Sequence, residues 1–304
     1  MHPKIFFFLF TLSYLSASDT PIFDQYHSSL CEVLVSTSNS IDDYFIEGNR
    51  TERSKTHAEL ISSMAYETGE LGFENDVRVS LSLNLPKIQE NLRLVFEDES
   101  SDDLLYDGTA LNNQQLRDKE YYLRLEYFNF IRNKFNMRLG GGVKIRQGTL
   151  VPYMTTRMQY DILDKSKQKS ELFNCFRIYS DGELENTFEF NTFYAIQDDW
   201  HFINRNLYYY TNRNPFQVLA HDTTMVHRLN SKKQLRYGLG ISSNLNKFKS
   251  FSVEYYTLHS TWYHLFYNDW VYYEIIPSIL QRRINDFQTS YRILVNFGLY
   301  FNTR

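Results

Sequence analysis

The chain has 304 residues, a formal net charge of −4 and a mean hydropathy of −0.46, with 24 Tyr and 24 Phe but only 12 Gly and 6 Pro. This length fits one or two domains, or a single all-β barrel. The mild charge gives no electrostatic reason to expect nucleic acid as a partner. Beyond the N-terminus no apolar run reaches about 20 residues, so helical membrane spans are not expected.

Residues 1–18 have the three regions of a secretory signal peptide in order. Lys4 supplies a positive charge, Ile5–Leu15 is a short apolar stretch, and the small residues Ser16-Ala17-Ser18 offer a cleavage site. The apolar stretch is too short for a membrane span, and a buried N-terminal strand or helix is the weaker alternative. The sequence therefore predicts an exported protein.

The segment after the signal peptide has a helical period. Between Pro21 and Phe45 apolar residues recur mostly at spacings of three and four, and the polar run Ser36–Ser40 interrupts them. This spacing places the apolar residues on one helical face. We therefore predict one or two short helices within an N-terminal periplasmic helical segment, residues 19–55. A cap or plug and a loosely docked leader remain open as its role.

From residue 56 to residue 304 the period is mostly two, which is typical of strands. The predicted strands are His57–Glu67, Glu70–Leu85, Asn91–Glu97, Glu120–Phe130, Phe135–Arg146, Val151–Ile162, Phe173–Ser180, Glu183–Ala195, His201–Tyr210, Phe216–Leu229, Gln234–Ser243, Ser250–Trp262, Trp270–Pro277 and Gln288–Phe301. The count is about fourteen, with twelve as the alternative. Bacterial outer-membrane barrels have even strand numbers.

The last strand shows the two faces most clearly. Odd positions from Tyr291 to Phe301 are all apolar or aromatic, whereas even positions include Arg292 and Asn296, with Leu294 as the exception. A soluble sandwich would turn such an apolar face inward, whereas a membrane barrel turns it toward lipid and keeps a polar lumen. The export signal and the aromatic content favour an all-β fold of the second kind, an antiparallel transmembrane β-barrel.

The charged residues of the polar faces are the candidate lumen-lining set. They are Arg124, Glu126, Arg138, Lys144, Arg146, Arg157, Asp161, Glu185, Glu189, Arg236, Glu254, Glu274 and Arg292. Because both signs are present at similar density, these side chains can pair and narrow or close the lumen. A pore that is selective for cations or for anions would carry an excess of charges of one sign on its wall. The sequence therefore predicts weak ion selectivity.

The predicted connections differ in length. Asp98–Lys119 is long and continues an acidic run, whereas Leu163–Leu172 and Ser278–Phe287 are of middle length. Counting strands from a periplasmic start puts the long connection outside the cell, where barrel loops are usually longer. Its acidic run is interpreted as a solvated loop, with a contact to divalent cations or lipopolysaccharide as the alternative.

Few residues point to a catalytic or metal site. Cys31 and Cys175 are interpreted as two unpaired thiols rather than a bridge, and no CxxC or HxxxH spacing indicates a metal. The pairs His259-Ser260 and His221-Asp222 carry the hydroxyl, imidazole and carboxylate groups that a hydrolase uses. Neighbours in a strand face opposite ways, so neither pair can act together while it stays in a strand. We predict no catalytic residues, no metal and no cofactor.

Several short stretches together carry a resemblance to known proteins. They are Asp42-Asp43-Tyr44-Phe45, Leu83-Asn84-Leu85-Pro86-Lys87, Leu92-Arg93-Leu94-Val95-Phe96-Glu97, Tyr179-Ser180-Asp181-Gly182 and Asn268-Asp269-Trp270-Val271-Tyr272-Tyr273-Glu274-Ile275-Ile276-Pro277. Their order resembles that of a family of uncharacterised proteobacterial outer-membrane barrel proteins. The resemblance covers nearly all of the mature chain. It implies an outer-membrane location and a barrel fold, and it carries over no catalytic residues.

These observations favour a narrow porin-like channel or a structural barrel, with an unknown substrate. The alternatives are a carrier for apolar substrates plugged by the N-terminal helix and, less favoured, an outer-membrane hydrolase. The expected partners are outer-membrane lipid, lipopolysaccharide and the barrel-assembly machinery. A barrel of about 14 strands lies between small side-chain-filled barrels and wide aqueous porins.

Overall fold

A computed structural model of the chain has fourteen antiparallel strands that close into one barrel. The predicted fold class and strand number are therefore confirmed. The structure describes residues 21–45, 56–69, 72–84, 93–98, 121–146, 148–213, 216–246 and 250–302. The predicted signal peptide and most of the predicted long connection, with its acidic run, lie outside these described residues.

One helix precedes the strands. It is α1 (Pro21–Phe45), and the strands are β1 (His57–Glu67), β2 (Gly72–Asn84), β3 (Arg93–Asp98), β4 (Tyr121–Arg132), β5 (Phe135–Arg146), β6 (Thr149–Lys165), β7 (Gln168–Tyr179), β8 (Leu184–Ala195), β9 (Trp200–Thr211), β10 (Phe216–Asn230), β11 (Lys233–Asn246), β12 (Phe251–Tyr267), β13 (Val271–Arg282) and β14 (Thr289–Asn302). A short 3-10 turn, Arg283–Asn285, joins β13 to β14.

Each strand pairs with its neighbours in sequence, and β1 closes the barrel against β14. Ala58 lies opposite Phe301 at one end of this seam, and Glu67 lies opposite Arg292 at the other. Because the ladder closes on itself, neither β1 nor β14 is left as an edge strand. A closed ladder satisfies most of the strand backbone without water, as a membrane-spanning sheet requires. Pairing is short between β2 and β3, where it covers only Leu81–Asn84 of β2.

The period of two along each strand gives the barrel two different walls. In β14, Tyr291 is 60% exposed and Ile293 is 45% exposed, whereas Arg292 is 4% exposed. Inward residues form the inner wall and outward residues the outer wall. Leu294, the exception in sequence, is inward and packs with Ala65 and Ile276 in an apolar cluster on β1, β13 and β14.

The two ends of the barrel also differ. At the end where β1 begins and β14 finishes, which we call the termini end, two-residue turns at residues 133–134, 166–167 and 231–232 join successive strands. The opposite end, the loop end, carries the connection from β3 to β4, which spans residues 99–120. The division is not complete, because the connection at residues 147–148 lies at the loop end and the connection 85–92 lies at the termini end. The longest connection lies opposite the termini, as is usual in bacterial outer-membrane barrels.

Several strands extend beyond the sequence prediction. The predicted connection Leu163–Leu172 is wrong, because β6 and β7 continue until only Ser166 and Lys167 separate them. Beside this extension the Lys169 ammonium lies 2.7 Å from Glu171 on β7 and 3.6 Å from Asp161 on β6. Opposite charges on paired strands can stabilise a hairpin without any apolar face. Ser278–Phe287 is likewise shorter than predicted, since β13 continues to Arg282.

The N-terminal segment, predicted as one or two short helices, forms one continuous helix of 25 residues. In the polar run, the Ser36 hydroxyl donates a hydrogen bond of 2.9 Å to the carbonyl oxygen of Val33 within the same helix. A serine bonded in this way can remain inside a helix. Among the described residues, no helix is both long and apolar enough to cross a membrane.

Candidate functional site: the inner wall of the barrel

The inner wall holds the predicted lumen-lining residues with one exception. The structure places these side chains on inward register positions: Arg124, Glu126, Arg138, Lys144, Arg146, Arg157, Asp161, Glu185, Glu189, Arg236, Glu274 and Arg292. Glu254 is the exception. It has no partner residue in the β11–β12 register, where a bulge begins, and its carboxylate lies 3.2 Å from Arg283 near the loop end.

Glu126 is the centre of a charge cluster on β4, β5 and β6. Its carboxylate lies 3.1 Å from Arg124, 2.9 Å from Arg157 and 3.5 Å from Arg138. Arg124 and Arg157 are each only 1% exposed. A carboxylate shared among guanidinium groups offsets part of the cost of burying their charges. Glu126 therefore stabilises three arginines on one part of the wall.

Glu185 is the centre of a second cluster, formed by β5, β7 and β8. It pairs with Arg177 and with Lys144 at 3.7 Å, and it accepts a 2.8 Å hydrogen bond from the Tyr179 hydroxyl. The Lys144 ammonium also lies 5.1 Å from the ring of Tyr122 and 5.0 Å from that of Tyr179. Cation–π contacts of this kind strengthen when the cation is desolvated.

A third cluster crosses the seam where the barrel closes. Arg282 donates two hydrogen bonds of 3.1 Å to the carboxylate of Glu67, and Ser290 donates a third of 2.9 Å. Arg292 lies 3.5 Å from Glu67 and 3.4 Å from Glu74. These contacts join β13, β14, β1 and β2. Sequence reasoning selected only Arg292 among them, because the others become neighbours only through the β1–β14 register.

A further polar group lies on β10, β11 and β12. Asp222 accepts a 2.7 Å hydrogen bond from Thr224, and it interacts electrostatically with His259 two strands away. The His259 ring lies over Gly238, where any side chain would collide with it. The sequence pairs His259-Ser260 and His221-Asp222 are therefore not the relevant neighbours. The sequence feature that could have identified this group is Gly238, an inward glycine on β11 between β10 and β12.

The inner wall ends in an ion-pair cluster at the loop end. Glu183 lies 2.8 Å from Arg146 and 3.5 Å from Arg213, which also pairs with Asp181. Desolvation raises the pKa of Asp181, but hydrogen bonds from the Glu183 backbone N–H and from Arg213 outweigh it, so that pKa lies below its usual value. These contacts tie the short turn at residues 180–183 to the neighbouring connections.

The inner wall is closely packed from its middle to the loop end. Its largest fully buried side chains include Arg124, Arg157, Lys144, Glu185 and Glu189. Glu189 pairs with Arg205 at 3.2 Å, so this part of the wall also has both signs of charge. Charged residues are almost never fully buried unless they are paired. The described part of the central lumen is therefore filled by paired side chains rather than lined by bulk water.

The outer wall has the opposite character. Large apolar side chains exposed on it include Met64, Tyr66, Phe73, Val77, Val79, Leu123, Leu125, Leu139, Met154, Ile178, Phe188, Leu239, Leu258, Ile279 and Ile293. Trp200 begins β9, Trp270 directly precedes β13, and Trp262 lies near the end of β12, all toward the termini end. Tryptophan is enriched where a membrane meets water. An apolar outer wall around a charged inner wall defines a membrane-spanning β-barrel.

Solved outer-membrane barrels have a similar fold. The structure of outer-membrane expressed OmpT of Vibrio cholerae aligns with a TM-score of 0.50, over 84% of this chain and 99% of that chain, at 10% identity. The outer membrane channel DcaP of Acinetobacter baumannii gives 0.47 over 84% and 100%, at 8% identity. The CymD monoaromatic hydrocarbon channel gives 0.49 over 82% and 89%, also at 8%. The first of these alignments shows that the fold is that of an outer-membrane β-barrel protein.

The sequence itself adds no family assignment. No protein-family model matches the chain, and no curated protein matches it. Within the described ranges, no group of three or more His, Cys, Asp or Glu side chains is arranged to hold a metal ion. Cys31 and Cys175 are free thiols, Cys31 on α1 and Cys175 buried on β7.

Proposed function

We propose that this protein is a narrow porin-like channel of the bacterial outer membrane. The observation that carries the proposal is the inner wall, on which buried charges of both signs are paired around Glu126, Glu185 and Glu67. A purely structural barrel has less need of so many charged residues in its lumen, because each one costs desolvation free energy. Water and small ions can pass by replacing the contacts within such pairs one at a time. Large solutes can pass only if the side chains themselves move aside.

The pairing also supports weak ion selectivity. Of the twelve predicted residues that lie on the inner wall, seven are basic and five are acidic. Further charges of both signs join them, such as Glu67, Asp222 and Arg282. Selectivity follows from rings of one sign of charge, and here each cluster mixes both. A passing ion therefore meets a nearly neutral wall.

Two alternatives have weaker support. The contacts of α1 are with outward-facing rings such as Phe301, which does not favour the hypothesis of a helix plugging the lumen. A hydrolase would need a hydroxyl within hydrogen-bond reach of a base. In the described part of the chain, neither ring nitrogen of His259 has a hydrogen-bond partner. The Thr223 hydroxyl does lie 3.2 Å from His221 Nε2, but both side chains occupy outward positions on β10 rather than the lumen. No enzymatic activity is proposed.

Planar-bilayer recording and liposome swelling test the proposal. The purified protein should give small single-channel conductance in KCl and a reversal potential near zero in a salt gradient. Liposomes should swell with the smallest sugars only. Rapid swelling with large oligosaccharides would indicate a wide pore, and complete absence of conductance would favour the structural barrel.

Arg157→Ala should raise the conductance and shift selectivity toward cations. The change removes a large buried side chain from the middle of the inner wall, and Glu126 keeps Arg124 and Arg138 within 3.5 Å. One positive charge is lost, so the wall becomes more attractive to cations. The measurement is the single-channel conductance together with the reversal potential in a KCl gradient.

Arg213→Ala is the matched control, because it removes the same charge at the loop end, where the Arg213 side chain is 46% exposed. Its conductance should stay close to that of the unmodified protein. Equal conductance in all three proteins would contradict a constriction at Arg157.

The loop end should face the outside of the cell. Asp286 lies at the loop end and Asp269 at the termini end, and both are exposed with positive φ, 50° and 62° respectively. Cysteine at either site is therefore under similar backbone strain. In a Cys31→Ser/Cys175→Ser background, an impermeant maleimide should label Asp286→Cys on intact cells and Asp269→Cys only after permeabilisation. The opposite pattern would reverse the orientation.

A further inference from the structure

Helix α1 is attached to the outside of the barrel at the termini end. The His27 ring stacks on Trp270 at 4.3 Å and on the outward ring of Phe301 at 5.3 Å, and its Nε2 lies 2.8 Å from the backbone oxygen of Tyr300. Asp24 accepts hydrogen bonds of 3.0 and 2.9 Å from the Asn268 amide. These contacts fix the N-terminal half of the helix beside β13 and β14.

The burial of outward residues at this end indicates the path of the helix. Ala58, Leu83 and Val271 occupy outward register positions on β1, β2 and β13, yet they are only 7%, 3% and 6% exposed. Equivalent outward residues further along the same strands, such as Met64, are exposed. Because α1 contacts both β14 and β2, it lies across the outer wall over these four neighbouring strands.

A second face of α1 is apolar and uncovered. Phe23, Tyr26, Leu30 and Val33 are 44%, 68%, 50% and 57% exposed. Their spacing of three, four and three puts them in one row along the helix, which we call the apolar stripe. Four large apolar side chains in one exposed row require an explanation, since scattered single ones would not.

The remaining surface of α1 is polar, so the helix has three distinct faces. The barrel-facing side chains are Asp24, His27, Cys31, Leu34 and Ser38, and the exposed polar ones include Gln25, Ser29, Glu32 and Ser36. At 3.6 residues per turn, the apolar stripe lies roughly a third of the way round from each of these two sets. A helix resting on a barrel at a membrane surface has this order of faces: protein on one side, lipid on the next and water on the third.

We propose that α1 is an interfacial helix whose apolar stripe inserts into the headgroup and acyl-chain boundary of the leaflet at the termini end. The occupant is lipid because the helix that carries the stripe packs, through His27, on the outward ring of Phe301 and on Trp270, at the level of the tryptophans. The helix contains no Lys or Arg. Its insertion therefore depends on apolar burial and not on anionic headgroups. The inference rests on the proposed membrane location but not on channel activity.

Fluorescence quenching in phosphatidylcholine vesicles tests this assignment. In the Cys31→Ser/Cys175→Ser background, Leu30→Cys, Ser29→Cys and Leu239→Cys each carry an environment-sensitive fluorophore, and heat-modifiable migration shows that each variant is folded. Leu30 and Ser29 are adjacent and both exposed, but they lie on the apolar and polar faces. Lipids with brominated acyl chains should quench the labels at Leu30 and at Leu239 on the outer wall, and leave the label at Ser29 bright.

Each other outcome overturns the inference in a distinct way. If the label at Leu239 is quenched but the labels at Leu30 and Ser29 both stay bright, the barrel is in the membrane and the apolar stripe is not. If Leu30→Cys instead forms disulfide-linked dimers and is insensitive to brominated lipid, a second copy covers the stripe. If Leu239 is also unquenched, the membrane location fails together with the helix assignment. Equal quenching with and without anionic lipid should accompany the expected result.

Discussion

Glu126→Gln should destabilise the barrel by about 3–5 kcal/mol, the cost typical of removing one partner from a buried ion pair. The change takes away the carboxylate that lies within 3.5 Å of Arg124, Arg138 and Arg157. An amide keeps the shape of the side chain but not the charge that offsets those three. The measurement is the urea midpoint for unfolding from lipid vesicles, followed by heat-modifiable migration.

Glu254→Gln is the matched control for this prediction. Its ion pair with Arg283 is partly exposed, with side chains 33% and 53% accessible. Exposed pairs contribute at most about 1 kcal/mol. If the two variants unfold at the same urea concentration, the cluster around Glu126 does not stabilise the inner wall.

Leu239→Arg should lower stability by about 2–4 kcal/mol, as expected for arginine facing lipid near the middle of a bilayer. Leu239 is 59% exposed on the outer wall, and it lies near the centre of β11, which runs from Lys233 to Asn246. An arginine there must either leave its charge in the acyl region or draw water into it. The yield of folded protein in vesicles should fall accordingly.

Phe251→Arg tests the dependence on depth with the same substituted residue. Phe251 is 60% exposed and opens β12 at the loop end, where arginine costs only about 0–1 kcal/mol. Similar losses of stability for the two variants would mean that the polarity around the outer wall does not change with depth, as it does in a bilayer.

The two walls could be predicted from the sequence because the strand period is a local property. Phe188 faces outward and is 39% exposed, whereas Glu185 and Glu189 are buried, as alternation predicts. Leu294 could not be explained in this way. Its inward position depends on Ala65 and Ile276, which reach it only through the pairing of β1, β13 and β14.

The hydrogen-bond and ion-pair partners on the inner wall could not be predicted from the sequence. Glu67 and Arg282 are separated by more than two hundred residues but form two hydrogen bonds. Such contacts depend on strand register and on the closure of the barrel, neither of which leaves a local pattern. The Asp222–His259 interaction likewise requires the intervening strand β11, on which Gly238 faces His259 and Gly240 faces Asp222.

Strand ends were predicted least well where the apolar pattern stops before the ladder does. The β6–β7 hairpin continues to Lys165 and Gln168 through polar residues. The ion pairs of Lys169 with Glu171 and Asp161 support it. Hydrophobic alternation marks only the part of a strand that meets lipid. The backbone ladder can extend past it into water, because its hydrogen bonds need no apolar face.

The central claim is that the apolar outer wall faces lipid, and a spin label at Leu239 tests it most directly. A nitroxide introduced through Leu239→Cys, in the protein without its two native cysteines, is placed in lipid vesicles. Its collision rate with oxygen, which concentrates in the acyl region, should be high, and that with a water-soluble nickel chelate should be low. High accessibility to the nickel chelate together with low accessibility to oxygen would contradict the account.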